Sequence, residues 1–281
     1  MSTGTDLRPE GVEPDGRTEE EDTLLEDSEQ DALSMSSPVV GRSLWSYLTM
    51  PLILAAVVIA LVIAISTSDL DTIEERSLNL PTLLGATWRH VLLSVVSTIF
   101  VLLIAIPLGI MLTRSWTRSF RGLLLTVANI GQAIPTIGLI ALMAVAFNYI
   151  GFTAAVIALV ACAVLPVLRN TMVGIEHVDE NVLEAGRGMG MSKSTVLRKL
   201  ELPLAVPVIL AGVRTALVIN VGTATLAAYI NAGGLGTIIV AGLTTNRLLI
   251  TVTGATLTAV LALLIDYLAG IAEAKLRPKG L

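Results

Sequence analysis

The block "EAGRGMGMSKSTVLRKLELP", residues 184–203, is rich in charge, although the chain on either side of it is almost purely apolar. Its charged residues are Glu184, Arg187, Lys193, Arg198, Lys199 and Glu201. Its glycines, Gly186, Gly188 and Gly190, permit a tight reversal, and a positive φ or a close backbone approach is expected at Gly190. The block therefore predicts a polar, structured connection between two apolar segments.

Helices are expected on both sides of the glycine turn. A short helix is predicted to begin near Asp179, and a second one to begin after a cap at Ser192 or Ser194. Pro203 and Pro207 are predicted to end the second helix and to redirect the chain into the next apolar segment. Such a unit is either an amphipathic connector resting on a lipid surface or a docking site for another protein.

The apolar runs around the block are long enough to cross a membrane. The chain has 281 residues and is 54% hydrophobic and 15% charged, whereas soluble domains are roughly 25% charged. A spanning helix needs about 20 apolar residues. These runs predict an all-α integral membrane protein with about six transmembrane helices. The predicted helices are 46–66, 89–113, 121–147, 151–170, 205–230 and 248–271.

The distribution of Lys and Arg predicts the orientation of these spans, because cytoplasmic segments carry an excess of both residues. With the N-terminus in the cytoplasm, the outer segments carry only Arg76, Arg89 and Arg247. The inner segments carry Arg42, Arg114, Arg118, Arg121, Arg169, Arg187, Lys193, Arg198, Lys199, Lys275, Arg277 and Lys279. Both termini are therefore predicted to be cytoplasmic, and so is the charged block.

The two ends of the chain differ in composition from the spans. Residues 1–42 hold twelve acidic and three basic residues without an apolar period, which is typical of a disordered tail. The first transmembrane helix is placed at 43–68. A short cytoplasmic tail is predicted at 272–281.

The sequence carries no recognisable metal or nucleotide motif. His90 and His177 are far apart, and Cys162 is the only cysteine. "GRGMG" is not followed by the Gly-Lys-Ser/Thr of a phosphate-binding loop. No catalytic residue, metal ligand or cofactor is therefore predicted on this chain.

The spacing within the block resembles that of the permease subunits of bacterial ABC importers. Their cytoplasmic loop has the form Glu-Ala-Ala, three residues, Gly, nine residues, Ile, one residue, Leu-Pro. The matching positions here are Glu184, Ala185, Gly186, Gly190, Leu200, Leu202 and Pro203. Gly186 replaces an alanine and Leu200 replaces an isoleucine, and the spacing matches throughout. The resemblance covers about 86–271 and identifies 171–205 as the loop that couples the permease to its ATPase.

Longer stretches are similar to the permeases for glycine betaine, carnitine and choline, which are osmoprotectant importers. They include "LPVLRNTMVGI" (165–175), "GTATLAAYINAGGLG" (222–236) and "IDYLAGIAEAKLRPKGL" (265–281). The resemblance implies a type-1 importer permease fold in the bacterial plasma membrane. A permease for another small solute, such as methionine, and an ATP-independent channel are the alternatives. An intramembrane enzyme would need polar catalytic groups inside the spans.

The resemblance also implies the partners of the chain. ATP and Mg²⁺ would be bound by two separate ATP-binding subunits, so this subunit is not itself an enzyme. A second permease subunit, identical or related, and an extracytoplasmic substrate-binding protein complete the complex, which sits in membrane lipid and contacts no nucleic acid. The short helix of the block would dock in a groove of the ATPase and couple it to inward- and outward-facing states.

Polar residues inside the predicted spans are candidates for a translocation path. They are Asn129, Gln132 and Thr136 on one face of the third helix, and Asn220 and Thr223 on the fifth. Polar groups in lipid are costly, so these side chains are expected to face a wet cavity or a partner. Interhelical hydrogen bonds without a transport role are the alternative.

Arg214 is a cation inside the predicted fifth span. Insertion of an arginine at mid-membrane costs about 2.5–3.5 kcal/mol. Asp266 is the acid inside a predicted span and lies toward the same side of the membrane. The two side chains are therefore expected to form an ion pair, or Arg214 is expected to extend to the lipid interface.

Overall fold

The computed structural model describes residues 44–276, except for the side chains of residues 44–47 and 118. The predicted tail at 1–42 and the end of the predicted C-terminal tail lie outside this range. Among the described residues, 44–49 belong to a separate unit, and from Met50 the chain forms one compact unit. The described residues form helices and no strand, which confirms the all-α prediction.

The helices are numbered here in chain order. They are α1 Leu44–Thr67, α2 Thr72–Leu78, α3 Leu80–Leu112, α4 Arg118–Ala133, α5 Thr136–Val145, α6 Phe152–Glu176, α7 Glu180–Gly188, α8 Lys193–Val196, α9 Leu202–Thr223, α10 Gly236–Thr244 and α11 Leu248–Leu276. Short 3₁₀ segments cover Ser115–Thr117 and Ala224–Ile230, and a π turn covers Leu197–Glu201.

Within the described residues, five helical segments are long and apolar enough to cross a membrane. They are Leu48–Thr67, Leu80–Leu112, Phe152–Glu176, Lys193–Ile230 and Leu248–Leu276. A sixth crossing is counted if the bent pair Ser119–Ala133 and Thr136–Val145 forms one span. The prediction of about six transmembrane helices is therefore confirmed.

The predicted third helix, 121–147, is wrong as one continuous element. The chain bends by 90° between α4 and α5. Pro135 disfavours helical backbone at the residue before it, and Ile134 is extended with φ −69° and ψ 126°. The sequence showed the proline, but the size of the bend depends on the packing of α5 against α6.

The prediction that Pro203 and Pro207 end a helix is also wrong. The chain is helical from Lys193 to Ile230, and both prolines lie near the start of α9. The π turn before them replaces the usual bonding, since Leu202 N–H donates to Leu197 O. A proline is tolerated where the backbone already departs from regular α-helical hydrogen bonds, which explains Pro203, whereas Pro207 lies inside α9 without ending it.

Several other boundaries differ from the prediction. α3 begins at Leu80 rather than residue 89, because Asn79 caps it by accepting a 2.9 Å hydrogen bond from Thr82 N–H. The segment 69–88, for which no helix was predicted, contains α2, which begins with a capping box of Asp71 and Glu74. α10 was not predicted. α11 runs through Leu276, so the predicted tail at 272–281 begins as helix.

The core lies around α6, which packs between α3 and α9. α6 buries small residues along these contacts, including Ala155, Ala158 and Ala163. A Cβ at Gly212 of α9 would lie 2.7 Å from the Asn170 Cβ of α6. Small residues let helices approach closely in a membrane, where no hydrophobic force drives them together. The close packing of α6 holds the charged block at one end of the bundle.

Candidate functional site

The charged block folds as two helical segments joined by a turn. Asp179 caps α7 by accepting a 2.8 Å hydrogen bond from Asn181 N–H. Ser192, rather than Ser194, caps α8 and accepts from Thr195 N–H at 3.3 Å. The helix start near Asp179 and the cap in the second half are confirmed.

Only one of the three glycines forms the turn. Gly190 has φ +82°, as the sequence predicts, whereas Gly186 and Gly188 lie inside α7. Met191 N–H donates to Gly186 O at 3.1 Å, and Gly190 N–H donates to Arg187 O at 2.9 Å. This pair of bonds is the Schellman arrangement that ends a helix with a left-handed residue. The expectation that all three glycines form the reversal is therefore wrong.

Gly186 has a packing role instead. It is buried, and a Cβ built on it would lie 2.6 Å from Leu200 Cδ1. The two residues that depart from the family pattern therefore contact each other across the turn. A leucine at 200 reaches the place that the alanine methyl group would take at 186.

The remaining motif residues divide between two faces. Glu184, Ala185 and Pro203 are exposed, whereas Leu200 and Leu202 are half-buried. Leu202 packs on a small cluster with Ile175, Ala205 and Ile209. Val182 and Ala185 on α7 and Met189, the residue that caps its end, are three and four residues apart and are all exposed. α7 therefore presents an apolar strip away from the bundle.

Two ion pairs join the helix ends on this side of the bundle. Arg114, just after α3, binds both carboxylate oxygens of Glu201, whose side chain is only 7% exposed. Arg121 in α4 lies 2.5 Å from Glu176 at the end of α6. Sequence reasoning counted both arginines only as cytoplasmic charge and missed their partners. Burial of Glu201 follows from the π turn, which no sequence signal revealed.

The predicted path residues of the third helix do not share one face. Asn129 accepts a 2.7 Å hydrogen bond from Arg169 Nη2, and Gln132 is exposed near the end of α4. Thr136 begins α5 beyond the bend and lies 3.4 Å from Cys162 Sγ. Arg169, which the sequence analysis counted with the cytoplasmic segments, lies within α6, about 10 Å before its end.

Asn220 and Thr223 have different surroundings. Asn220 is fully buried, and its Nδ2 donates to Thr98 Oγ1 of α3 at 2.9 Å. Within the described residues, Asn220 Oδ1 is buried without a hydrogen-bond partner. Thr223 is half-buried and bonds its own helix at Ile219 O. The geometry of Asn220 is that of an interhelical hydrogen bond.

The structure brings Arg214 and Asp266 together. Arg214 Nε donates to Asp266 Oδ1 at 2.5 Å, and Nη2 donates to Oδ2 at 2.6 Å. This bidentate geometry is the strong form of the arginine–carboxylate pair. Glu273, two turns further along α11, lies 3.8 Å from Arg214 Nη1. The pair joins α9 to α11.

At the opposite end of the bundle, Arg89 and His90 of α3 hold the turn before α10. Arg89 Nε donates to Ala232 O at 3.1 Å. His90 is fully buried, accepts from Leu235 N–H at Nδ1, and contacts Val221 O through Nε2 at 2.9 Å. Since Nδ1 accepts, the ring proton lies on Nε2 and is donated to that carbonyl. The sequence analysis considered His90 only as a metal ligand and did not predict these two hydrogen bonds.

Comparisons with known proteins match this arrangement. A family model described as "Binding-protein-dependent transport system inner membrane component" matches residues 105–278. The choline transport system permease protein of Bacillus subtilis is 40% identical over 199 residues, which are 71% of this chain and 90% of that protein. The glycine betaine/carnitine/choline transport system permease protein of the same organism is 38% identical over the same shares of both chains.

Solved structures show the same fold. A structure of a methionine ABC transporter in an inward-facing conformation has a chain that superimposes with a TM-score of 0.62 at 24% identity. The match covers 72% of this chain and all of that one. The family model spans the charged block and the helices on both sides of it. This chain therefore belongs to the family of inner membrane components of binding-protein-dependent transport systems, as a multi-pass membrane protein with the type-1 permease fold.

Proposed function

We propose that this chain is the permease subunit of an ATP-driven importer and translocates a small osmoprotectant, namely choline, glycine betaine or carnitine. The observation that carries the proposal is the similarity to permeases named for these solutes, at 38–40% identity over 90% of their length. The binding protein delivers the solute from outside. On this chain, we propose that only a few polar side chains of the described residues contact the solute.

The proposed place of ATPase docking is the exposed strip of α7. Val182, Ala185 and Met189 form an apolar face on a short helix, which suits insertion into a groove of a partner protein. Glu184 stands beside this strip and is exposed to donors on that partner. ATP and Mg²⁺ are bound by the partner subunits.

Coupling to the transport cycle is supported by the continuity of the chain beyond the turn. The continuous helical segment from Lys193 to Ile230 has 38 residues, and its α-helical part, α9, has 22 residues and is about 33 Å long. The Arg114–Glu201 pair ties the start of this segment to the end of α3. A displacement of the docked block would therefore reach the opposite end of the bundle as the movement of one rigid element.

The proposed path runs along α4, beside the Asn129–Arg169 pair and the exposed Gln132. An arginine inside a membrane-spanning helix is expensive unless it faces water or a partner, and Arg169 is largely exposed. Asn220 contributes to packing through Thr98. Thr136 and Thr223 stay weaker candidates, because each has a contact within the bundle.

The proposed orientation places both termini in the cytoplasm. The pairs Arg114–Glu201 and Arg121–Glu176 mark the end of the bundle that carries the charged block. The contact of Arg89 with Ala232 and the Asp71–Arg247 pair mark the other end. The proposed complex contains a second permease subunit, either identical or related, and two ATP-binding subunits.

Uptake measurements test the function. Cells with and without this chain are given labelled choline, glycine betaine or carnitine at high salt, with and without the co-expressed ATP-binding subunit. We expect uptake of at least one solute only when both subunits are present. Uptake without the ATP-binding subunit would indicate a channel, and no uptake of any of the three would refute the substrate class.

Docking of the block is tested by Glu184→Lys, which reverses the charge beside the apolar strip. We expect the tagged permease to retain less ATP-binding subunit in a pull-down and to lose uptake. The matched control is Asn181→Lys, which adds a cation to the same helix outside the family pattern. Equal retention by both variants would argue against docking through the motif.

A further inference from the structure

A cavity of about 450 Å³ lies between the turn that follows α3 and the charged block. Its walls include Arg114 and Trp116 from the turn and Arg187, Lys193, Ser194 and Glu201 from the block. The volume is that of roughly fifteen liquid water molecules. It therefore has room for a phosphate group together with the organic group attached to it.

The charges of the cavity are unbalanced. Glu201 binds Arg114 with both carboxylate oxygens, so the charges of these two side chains neutralise each other. Arg187 has an exposed partner, Glu180, at 3.7 Å, and exposed pairs of this kind contribute little. Lys193 adds a further positive charge. The cavity consequently keeps about two positive charges for a ligand.

Arg187 and Lys193 supply the donors for an anion in this cavity. The Ser194 hydroxyl also lines it, but it lies 3.2 Å from the Ser192 hydroxyl and shares a hydrogen bond with that group. The guanidinium of Arg187 presents several N–H donors in a planar fork, which matches the oxygens of a phosphate group.

We propose that this cavity binds a phosphate group, supplied by the headgroup of an anionic membrane phospholipid. The cavity begins just beyond the end of α3, which is long and apolar enough to cross a membrane. Trp116 is 70% exposed at its rim, and exposed tryptophans favour this interfacial layer. Basic pockets on the cytoplasmic side are suited to anionic headgroups. The site is independent of the solute that the permease carries.

The bound headgroup would bridge two parts of the coupling region. Trp116 and Arg114 belong to the turn between α3 and α4, whereas Arg187 and Lys193 lie on either side of the Gly190 turn. An anion held by both sides draws the block toward the membrane. It would thereby restrict the movement of the block relative to α3.

Trp116 provides a direct readout in the full-length permease. Trp45→Phe and Trp88→Phe leave it as the only tryptophan of the chain. This protein is placed in phosphatidylcholine vesicles with equal mole fractions of acyl-brominated phosphatidylglycerol or acyl-brominated phosphatidylcholine. We expect stronger quenching of Trp116 by the anionic lipid. Arg187→Gln with Lys193→Gln should weaken this preference roughly tenfold or more, since two cations are lost.

The matched control is Arg198→Gln with Lys199→Gln, which removes the same charge from the same loop outside the cavity. It should keep the preference for the anionic lipid. Ser194→Asp is a second test, because an acid in the first turn of a helix favours folding while repelling a bound anion. An equal loss of preference in the cavity variant and the control would show general surface attraction and overturn the proposal.

Two further measurements distinguish the occupants. Inorganic phosphate is titrated into the phosphatidylcholine vesicles, and a saturable Trp116 response that the cavity variant loses, without lipid preference, would assign the site to a soluble phosphate. Addition of the ATP-binding subunit to the anionic vesicles should leave the quenching preference intact. Loss of the preference at that step would show that the cavity belongs to the protein interface and would overturn the lipid assignment.

Discussion

At the scale of single residues, the charged block shows how two departures from a family pattern depend on each other. Gly186 stands where the pattern has alanine, and Leu200 stands where it has isoleucine. The structure places Leu200 Cδ1 within 2.6 Å of a Cβ built on Gly186. A larger residue at 186 must therefore displace the end of the leucine side chain. The sequence showed each substitution, but not that the two positions are in contact.

Gly190 is the residue on which the direction of the second helical segment depends. Valine there would have to adopt φ +82°, and the left-handed conformation costs an L-residue about 1–2 kcal/mol, more when it is β-branched. We expect Gly190→Val to abolish uptake and to weaken retention of the ATP-binding subunit in a pull-down, with normal membrane insertion.

The matched control for this prediction is Gly188→Ala. Gly188 lies in α7, and a Cβ there would meet nothing within 4 Å. Alanine should be tolerated and should favour the helix by up to about 1 kcal/mol. Similar uptake in the Gly190 and Gly188 variants would mean that the turn has no role in coupling.

The pair of Arg214 and Asp266 is the second residue-scale case. Arg214→Asp would place an acid beside Asp266 and Glu273, and Asp266→Arg would place two cations together. Each single variant is expected to reduce the amount of assembled permease in the membrane several-fold, because unpaired charges in a span are expensive. The double variant, with the charges exchanged, is expected to recover part of it. Absence of any recovery would argue against direct pairing as a requirement for assembly.

At the scale of helices, the sequence predicted the apolar spans and the caps better than the breaks. Hydropathy alone located α1, α6 and α11, because lipid demands about 20 apolar residues, but α6 ends at Glu176 rather than 170 and α11 at Leu276 rather than 271. The capping box at Asp71 can be recognised in the sequence, but no helix was predicted there. The effect of the prolines was predicted wrongly in both regions. The chain bends by 90° at Pro135, where one continuous helix was predicted, whereas Pro203 and Pro207 do not end the helix that they were predicted to end. Which outcome a proline has depends on tertiary packing and on the π turn, which have no local signature.

α4 carries the clearest test of the proposed path. Gln132→Leu removes an exposed polar group, and Asn129→Leu also removes the hydrogen-bond acceptor of Arg169. We expect lower uptake in both variants and the larger loss for Asn129→Leu, because Arg169 then lacks its partner inside the span. Val127→Leu, an exposed apolar change on the same helix, should be neutral. Full uptake in both polar variants would end the claim that this face lines the path.

At the scale of the whole molecule, one set of polar contacts lies at each end of the bundle, and the pairs Arg214–Asp266, Asn129–Arg169 and Asn220–Thr98 lie between them. One end holds the charged block through Arg114–Glu201 and Arg121–Glu176. The other end holds the turn at 231–236 through Arg89 and His90. Between them run tightly packed helices with small residues at their contacts. The contacts at the two ends were not predictable, because they pair residues that are far apart in the sequence and that belong to no recognisable motif.

The continuous segment from Lys193 to Ile230 links the two ends, and its rigidity can be tested apart from docking. Ala211 is exposed near the middle of α9. Proline inside a helix removes a hydrogen bond, adds a steric clash and costs about 3 kcal/mol or more. We expect Ala211→Pro to kink the segment and to lower uptake strongly. The charged block is untouched by this change, so retention of the ATP-binding subunit in a pull-down should stay normal.

The control for this last prediction is Ala211→Leu, which enlarges the same exposed position while keeping a strong helix former. Its uptake and its pull-down should both match the unmodified permease. The pairing of normal docking with lost uptake is the expected signature, because it separates transmission along the helix from attachment of the ATPase. If Ala211→Pro instead transports at the normal rate, the two ends of the bundle are not coupled through a rigid α9. The cycle would then have to reach the opposite end of the bundle by way of α3, through the Arg114–Glu201 pair.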